Sequence, residues 1–262
     1  MKLKYITILL IAALVALTAG LNQPEKAKPT KNTSITSINL TDIIASMGES
    51  RRNKRLDKIK RAVLVYNPEV TDETANDLLV AIEEYNLDES LEMFSYSIYQ
   101  ILLESRGRQY DDKGNILTSS ANALGITQIK SSTAFHYLSM EMSQKDRDRL
   151  VELGADPIKF GPKDKVYRAE SDEGKTFWTT PDKTKKKVAK WLENSTNGIM
   201  LWGYIMRHNI DKHGFYNALV IYSAGKGGWQ HYKSNHSSIY GHSYLKGIRK
   251  VQLHLKTKEA TV

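Results

Sequence analysis

The chain has no cysteine among its 262 residues. Disulfides, thiolate nucleophiles, cysteine-ligated zinc and a lipidated N-terminal cysteine are therefore excluded. A long apolar run is also missing: the stretch from about Ile6 to Ala19 falls short of the roughly 20 residues that span a bilayer. His231, His236 and His242 include no pair at the i, i+4 spacing of a helical zinc site. "AGKGG" (224–228) lacks the full Gly-x-x-x-x-Gly-Lys-Ser/Thr of a phosphate loop. No metal and no cofactor is expected. Internal repeats and strand-rich stretches are lacking too, so the expected fold class is mainly α.

What is present is basic. A net charge of +9 and a pI near 9.4 call for an acidic partner: nucleic acid, anionic lipid or the carboxylate-rich bacterial cell wall. The N-terminus narrows this choice. "MKLKYITILLIAALVALTAG" (1–20) has Lys2 and Lys4, an apolar core and a small-residue exit, the layout of a secretory signal. An uncleaved anchor is the alternative. Both place the remainder outside the cytoplasm, in the periplasm or cell envelope, which counts against nucleic acid.

Residues 21–50 are rich in Pro, Lys, Ser, Thr and Asn and read as a flexible linker. A helical extension is expected over 51–87. It opens on "RRNKRLDKIKRAV", either a solvated charged face or a contact for anionic wall polymer or a membrane surface. In "TDETANDLLVAIEEYNL" (71–87), Thr71 or Asp72 caps a helix whose buried stripe is Leu78, Leu79, Ile82 and Tyr85. A main domain is expected over 88–255, with a polar insertion of little core at about 143–185 and a tail at 256–262. Its first helix starts near Asp88, and Leu91, Phe94, Ile98, Ile101 and Leu102 recur at helical spacing. "RGRQYDDKGNILTSS" (106–120) then breaks into a loop or small hairpin. Helices are predicted again over 126–142, 182–194, 197–208 and about 214–224. The four tryptophans, Trp178, Trp191, Trp202 and Trp229, read as core or cleft aromatics.

One residue sits oddly in this pattern. Glu104 directly follows Ile101, Leu102 and Leu103 and shares a face with Ser97, Gln100 and Ile101. A carboxyl held against apolar groups keeps its proton to higher pH and can act as a general acid. The plain alternative is a helix end that looks at water.

Three further stretches follow in order. "SSANALGITQIKSSTA" (119–134) carries Ser119, Ala123, Gly125, Gln128, Thr133 and Ala134; "NGIMLWGYI" (197–205) carries Asn197 and Tyr204; "ALVIYSAGKG" (218–227) carries Tyr222. With the Glu-Ser pair at 104–105, this order resembles the catalytic domain of the soluble lytic transglycosylase family. That family has a lysozyme-like fold and acts on peptidoglycan. The resemblance covers about residues 88–255, leaving the insertion unmatched. It implies Glu104 as catalytic acid/base, Gln128 lining the cleft near the N-acetyl group, and Ser119 near the catalytic carboxyl. It also implies Tyr222 orienting that carboxyl, with Asn197 and Tyr204 supporting the cleft wall. Asn122, Thr127, Ser131, Leu201 and Ser223 stand where the family has Gly, Met, Pro, Gly and Asn. These departures fall on subsite positions and leave the acid/base in place.

Most glycosidases use a second carboxylate, and none of the other three stretches contains one. The resemblance implies a single Glu that protonates the leaving oxygen and then accepts the proton of the sugar's own 6-hydroxyl. Asp111 and Asp112 are the nearest spare carboxylates. They read as a hairpin tip or, alternatively, as the second carboxylate of a hydrolytic goose-type lysozyme. A non-catalytic wall-binding module is the reading from a different class.

Overall fold

The computed structural model describes residues 40–170, 176–223, 225 and 239–259, and the packing reported below lies within residues 46–262. The expected signal segment, Trp229, His231 and His236 fall outside the described residues. Among the described residues no helix is long and apolar enough to cross a membrane.

Helix α1 (Leu40–Leu64) begins inside the stretch expected as linker. Leu40–Met47 holds no glycine or proline to interrupt a helix, so the linker boundary moves upstream. In the basic run on α1, Arg51, Lys54 and Arg61 are exposed and the other basic residues partly buried, while Ile59 and Val63 are fully buried. Part of that run meets acids of the next segment: Arg52 pairs with Glu83, Arg55 with Glu83 and Asp88, and Lys60 with Asp72.

Helix α2 (Asp72–Glu84) starts where Thr71 Oγ1 accepts the Thr74 amide at 3.1 Å, and it buries Ala75, Leu78, Leu79, Ala81 and Ile82. Tyr85, expected in the same stripe, is its half-buried C-cap. Helix α3 (Leu91–Ser105) starts at Ser90 rather than Asp88, because the Ser90 hydroxyl takes the Met93 amide at 3.0 Å. From Phe94 to Leu102 every residue of α3 is buried, so it forms the central rod of the core. It ends on two left-handed residues, Arg106 (φ 58°) and Gly107 (φ 72°). A Cβ on Gly107 would overlap Val63 of α1, so only glycine closes this turn without displacing a core side chain.

The predicted hairpin region forms. Isolated bridges join Tyr110 to Ile116 and Thr118 to Leu124, followed by a short antiparallel ribbon of β1 (Ala123–Leu124) and β2 (Ile129–Lys130). The helix expected from Ile126 begins only at Ser131, because residues 126–130 complete the ribbon. It runs as α4 (Ser131–His136) into a π-helical turn, Tyr137–Glu141.

The insertion has more structure than its polarity suggested. It holds α5 (Gln144–Glu152), opened by a Ser143–Asp146 capping box, and a second ribbon of β3 (Tyr167–Glu170) and β4 (Thr176–Thr179). Its apolar residues join the main cluster and do not build a separate one: Leu150 and Ala155 are buried there, and Phe160 packs edge-on against Phe135 at 4.9 Å. Helix α6 (Asp182–Trp191) and helix α7 (Ser195–His213) follow, then α8 (215–223) and α9 (Ile239–Glu259). Helix α7 packs along α2, where a Cβ on Gly203 would overlap the Tyr85 ring. Helix α9 packs along α3, with Gly247 against Leu103. The described chain is mainly helical, as expected, with the two ribbons as its only named sheets.

Candidate active site

The last turn of α3 projects Glu104 beside its buried stripe. Ile101 and Leu102 are 1% exposed, Leu103 packs against the core, and Glu104 itself is half-buried. Water is thus displaced from a group whose charged form needs it. Burial pushes the Glu104 carboxyl up to about 7, and a hydrogen bond donated by the Tyr244 hydroxyl to Oε1 opposes that rise. Desolvation wins, and the carboxyl is about half protonated at neutral pH.

Two tyrosines flank this carboxyl. Tyr244 comes from α9 and Tyr222 from α8; burial raises both hydroxyls well above their ordinary range, and the negative charge of Glu104 adds to the rise. Both stay neutral donors. Tyr222 donates to the carbonyl of Thr127, which fastens α8 to the loop between β1 and β2. That loop carries Gln128 in the left-handed region (φ 53°), its Nε2 donating to the carbonyls of Gly125 (2.8 Å) and Leu117 (3.3 Å). Tyr222 thus feels the charge of Glu104 and ties α8 to the Gln128 loop.

The remaining site residues serve their own surroundings. Ser119 Oγ accepts the amides of Ala121 (3.3 Å) and Ala123 (3.1 Å), shaping the turn before β1. Asn197 is fully buried: its Oδ1 takes the Asp156 amide, while Nδ2 donates to Asp156 and the Trp191 carbonyl. Its bonds turn it inward, where it supports the junction between the insertion, the end of α6 and the start of α7. Tyr204 packs among Tyr85, Tyr137 and His208 and donates to the Glu141 carbonyl at 3.2 Å. Thr127, which stands where the resembled family packs a Met under sugar, is 1% exposed and also faces inward.

The two spare carboxylates stand apart from this group. Asp111 Oδ1 accepts the amides of Lys113 and Asn115, each at 2.9 Å, and these bonds hold its carboxyl below the usual range. Asp112 is exposed and pairs with Arg108 at 3.0 Å. Both belong to a hairpin tip, the plainer of the two expectations. Among the described residues no group of three or more His, Asp or Glu is placed to hold a metal ion.

Two residues escaped sequence reading. Tyr244 heads a stripe with Ile248, Val251 and Leu255 at helical spacing, a pattern that marks one buried hydroxyl on an otherwise apolar face. Gln109 accepts the Ile126 amide at 2.8 Å and donates to the carbonyls of Leu192 (2.9 Å) and Glu193 (3.0 Å). No local pattern announces it, because its partners lie up to 84 residues away. Comparison of the chain with protein-family models, with curated proteins and with solved structures gives no match.

Proposed function

We propose that this chain is an exported lytic transglycosylase with a lysozyme-like catalytic domain, cleaving the MurNAc–GlcNAc β-1,4 bond of peptidoglycan. The observation that carries the reading is Glu104: a carboxyl at a helix end, desolvated until it titrates near 7, with two neutral tyrosines and, among the described residues, no carboxylate coupled to it. A glycosidic oxygen is a poor leaving group and needs a proton in the transition state, so its donor must be protonated at working pH.

In the proposed reaction Glu104 gives its proton to O4 of GlcNAc as the bond from C1 of MurNAc to that oxygen breaks. Glu104, now a carboxylate, takes the proton of the MurNAc 6-hydroxyl, and O6 bonds to C1. The 1,6-anhydro ring closes, the carboxyl is reprotonated and no water is consumed. The attacking hydroxyl is tethered to the reacting sugar, which gives it a high effective concentration over a loosely held water. Hydrogen bonding within the Gln128 loop and the Tyr222–Thr127 tie keep one side of the site in place. The basic surface and the apolar N-terminal stretch fit an envelope enzyme that works on an anionic wall.

The test is mass spectrometry of purified sacculi after digestion. Muropeptides ending in 1,6-anhydro-MurNAc are expected, and Glu104→Gln should abolish them. Reducing-end MurNAc as the main product would identify a hydrolase. Retained binding with no cleavage would identify a wall-binding module.

A further inference from the structure

Leu91 and Met47, 75% and 67% exposed, are the barest large hydrophobic side chains among the described residues. Both stand beside cations. Met47, Arg51, Lys54 and Lys58 recur at i, i+4, i+7 and i+11 along α1, so they form one row on that helix. A groove of about 350 Å³ is lined by Arg51, Lys54, Arg55 and Lys58 of this helix and, at the start of α3, by Leu91 and Phe94. Arg55 and Lys58 lie over the Phe94 ring, 5.6 and 5.5 Å from its centre. The two acids of the groove are already engaged, Asp88 by Arg55 and Glu89 by Arg207. Arg51 and Lys54 are exposed and pair with no acid among the described residues; Glu49 and Asp57, the exposed acids of α1, bridge to neither. Positive charge is thus left unmatched next to bare aliphatic surface.

We infer that this groove and the row beside it dock the protein on an anionic lipid bilayer, Arg51 and Lys54 meeting headgroup phosphates while Met47 and Leu91 enter the acyl boundary. An anionic wall glycan would be held by the cations alone and has no use for two aliphatic side chains. A bilayer interface takes both kinds of group, at adjacent depths. Docking there removes from water the apolar surface that the fold leaves bare. The apolar stretch from about Ile6 to Ala19 lies upstream in the same chain. Any hold it has on a membrane raises the local concentration of α1 at that surface. This surface goes beyond the proposed glycan cleavage and does not depend on it.

The lack of cysteine makes the test direct, since an introduced thiol is the only one in the full chain. Leu91→Cys and, as a control at the hairpin tip, Asp112→Cys are each labelled with a nitrobenzoxadiazole dye. Vesicles of phosphatidylcholine are then compared with vesicles that also contain phosphatidylglycerol. With phosphatidylglycerol the dye at position 91 should shift to the blue and be quenched by nitroxides on the acyl chains, while the dye at position 112 stays in water. Adding Arg51→Gln and Lys54→Gln should raise the lipid concentration at half response by about 10- to 30-fold, the effect of two cations at an anionic surface. High salt should raise it too, and Met47→Ser severalfold. Adhesion through the N-terminal apolar stretch alone would leave the dye at position 91 in water and overturn the inference. Equal responses to the two lipids, or an unchanged midpoint in the double charge variant, would also overturn it. A charge variant that loses binding to purified sacculi yet keeps the vesicle response would assign the groove to wall polymer instead.

Discussion

Glu104 and Asp111 lie seven residues apart and carry the same chemical group, yet the fold moves their acidities in opposite directions. At Asp111 the backbone turns its amides inward, and two N–H groups solvate the charge better than a random chain would. At Glu104 the backbone amides are spent inside α3, and the carboxyl is buried, with the Tyr244 hydroxyl its one hydrogen-bond donor among the described residues. One site is built for an anion and the other for an acid. Which residue can donate a proton is thus set by the supply of donors around it, not by the residue type.

The comparison is most sharply broken by removing each carboxyl's charge in turn. Glu104→Gln keeps the shape and removes the proton, so sacculus digestion should fall by about 10²-fold or more, whereas Asp111→Asn should keep activity within a few-fold of wild type. Equal losses would make Asp111 the second carboxylate of a hydrolase. A raised acidity constant also has a stability sign. Glu104 binds its proton more tightly folded than unfolded between its ordinary 4.5 and about 7, so the fold loses stability as pH rises through that window. Glu104→Gln should therefore be more stable than wild type at pH 8, by up to about 3 kcal/mol from a shift of this size. The two should match at pH 4 in urea titrations. Asp111, with a lowered value, runs the other way. Its contribution is present above its ordinary 3.8 and fades as pH falls through the folded value, so Asp111→Asn should lower the melting temperature at pH 7 and converge with wild type in strong acid. The smallest effect belongs to Asp112→Asn: an exposed pair with Arg108 is screened by water, and calorimetry should find no change in melting temperature.

Helix positions were legible because they depend on local chemistry. Thr71, one of the two caps expected, opens α2, and Leu78, Leu79 and Ile82 are buried as their spacing required. The same rule overran at Ile126, where an apolar and polar alternation mimics a helix start but its amide goes to Gln109 of another segment. The insertion shows why a local reading misses such packing: Leu150 is buried, and Phe160 partly buried, against a cluster most of whose members lie elsewhere in the chain. In the candidate site, Glu104 stood out by its apolar neighbours in sequence. Tyr244 did not, since its importance comes from α9 lying against α3, a contact across 140 residues. Asn197 drew notice by its motif, and what the motif could not name is its partners, Asp156 and the Trp191 carbonyl.

Gln109 has a mechanical meaning beyond its hydrogen bonds. Its one amide joins the chain just after α3, the loop that presents Gln128, and the end of α6, where the insertion rejoins the main body. A Cβ on Gly125 would collide with that amide, so the joint closes only around a glycine. Three segments that could otherwise hinge separately become a single lever. A load that displaces the α6 end is passed through this joint to the loop that carries Gln128, and the Tyr110 hydroxyl, donating to the Glu193 carbonyl at 2.9 Å, braces the same corner.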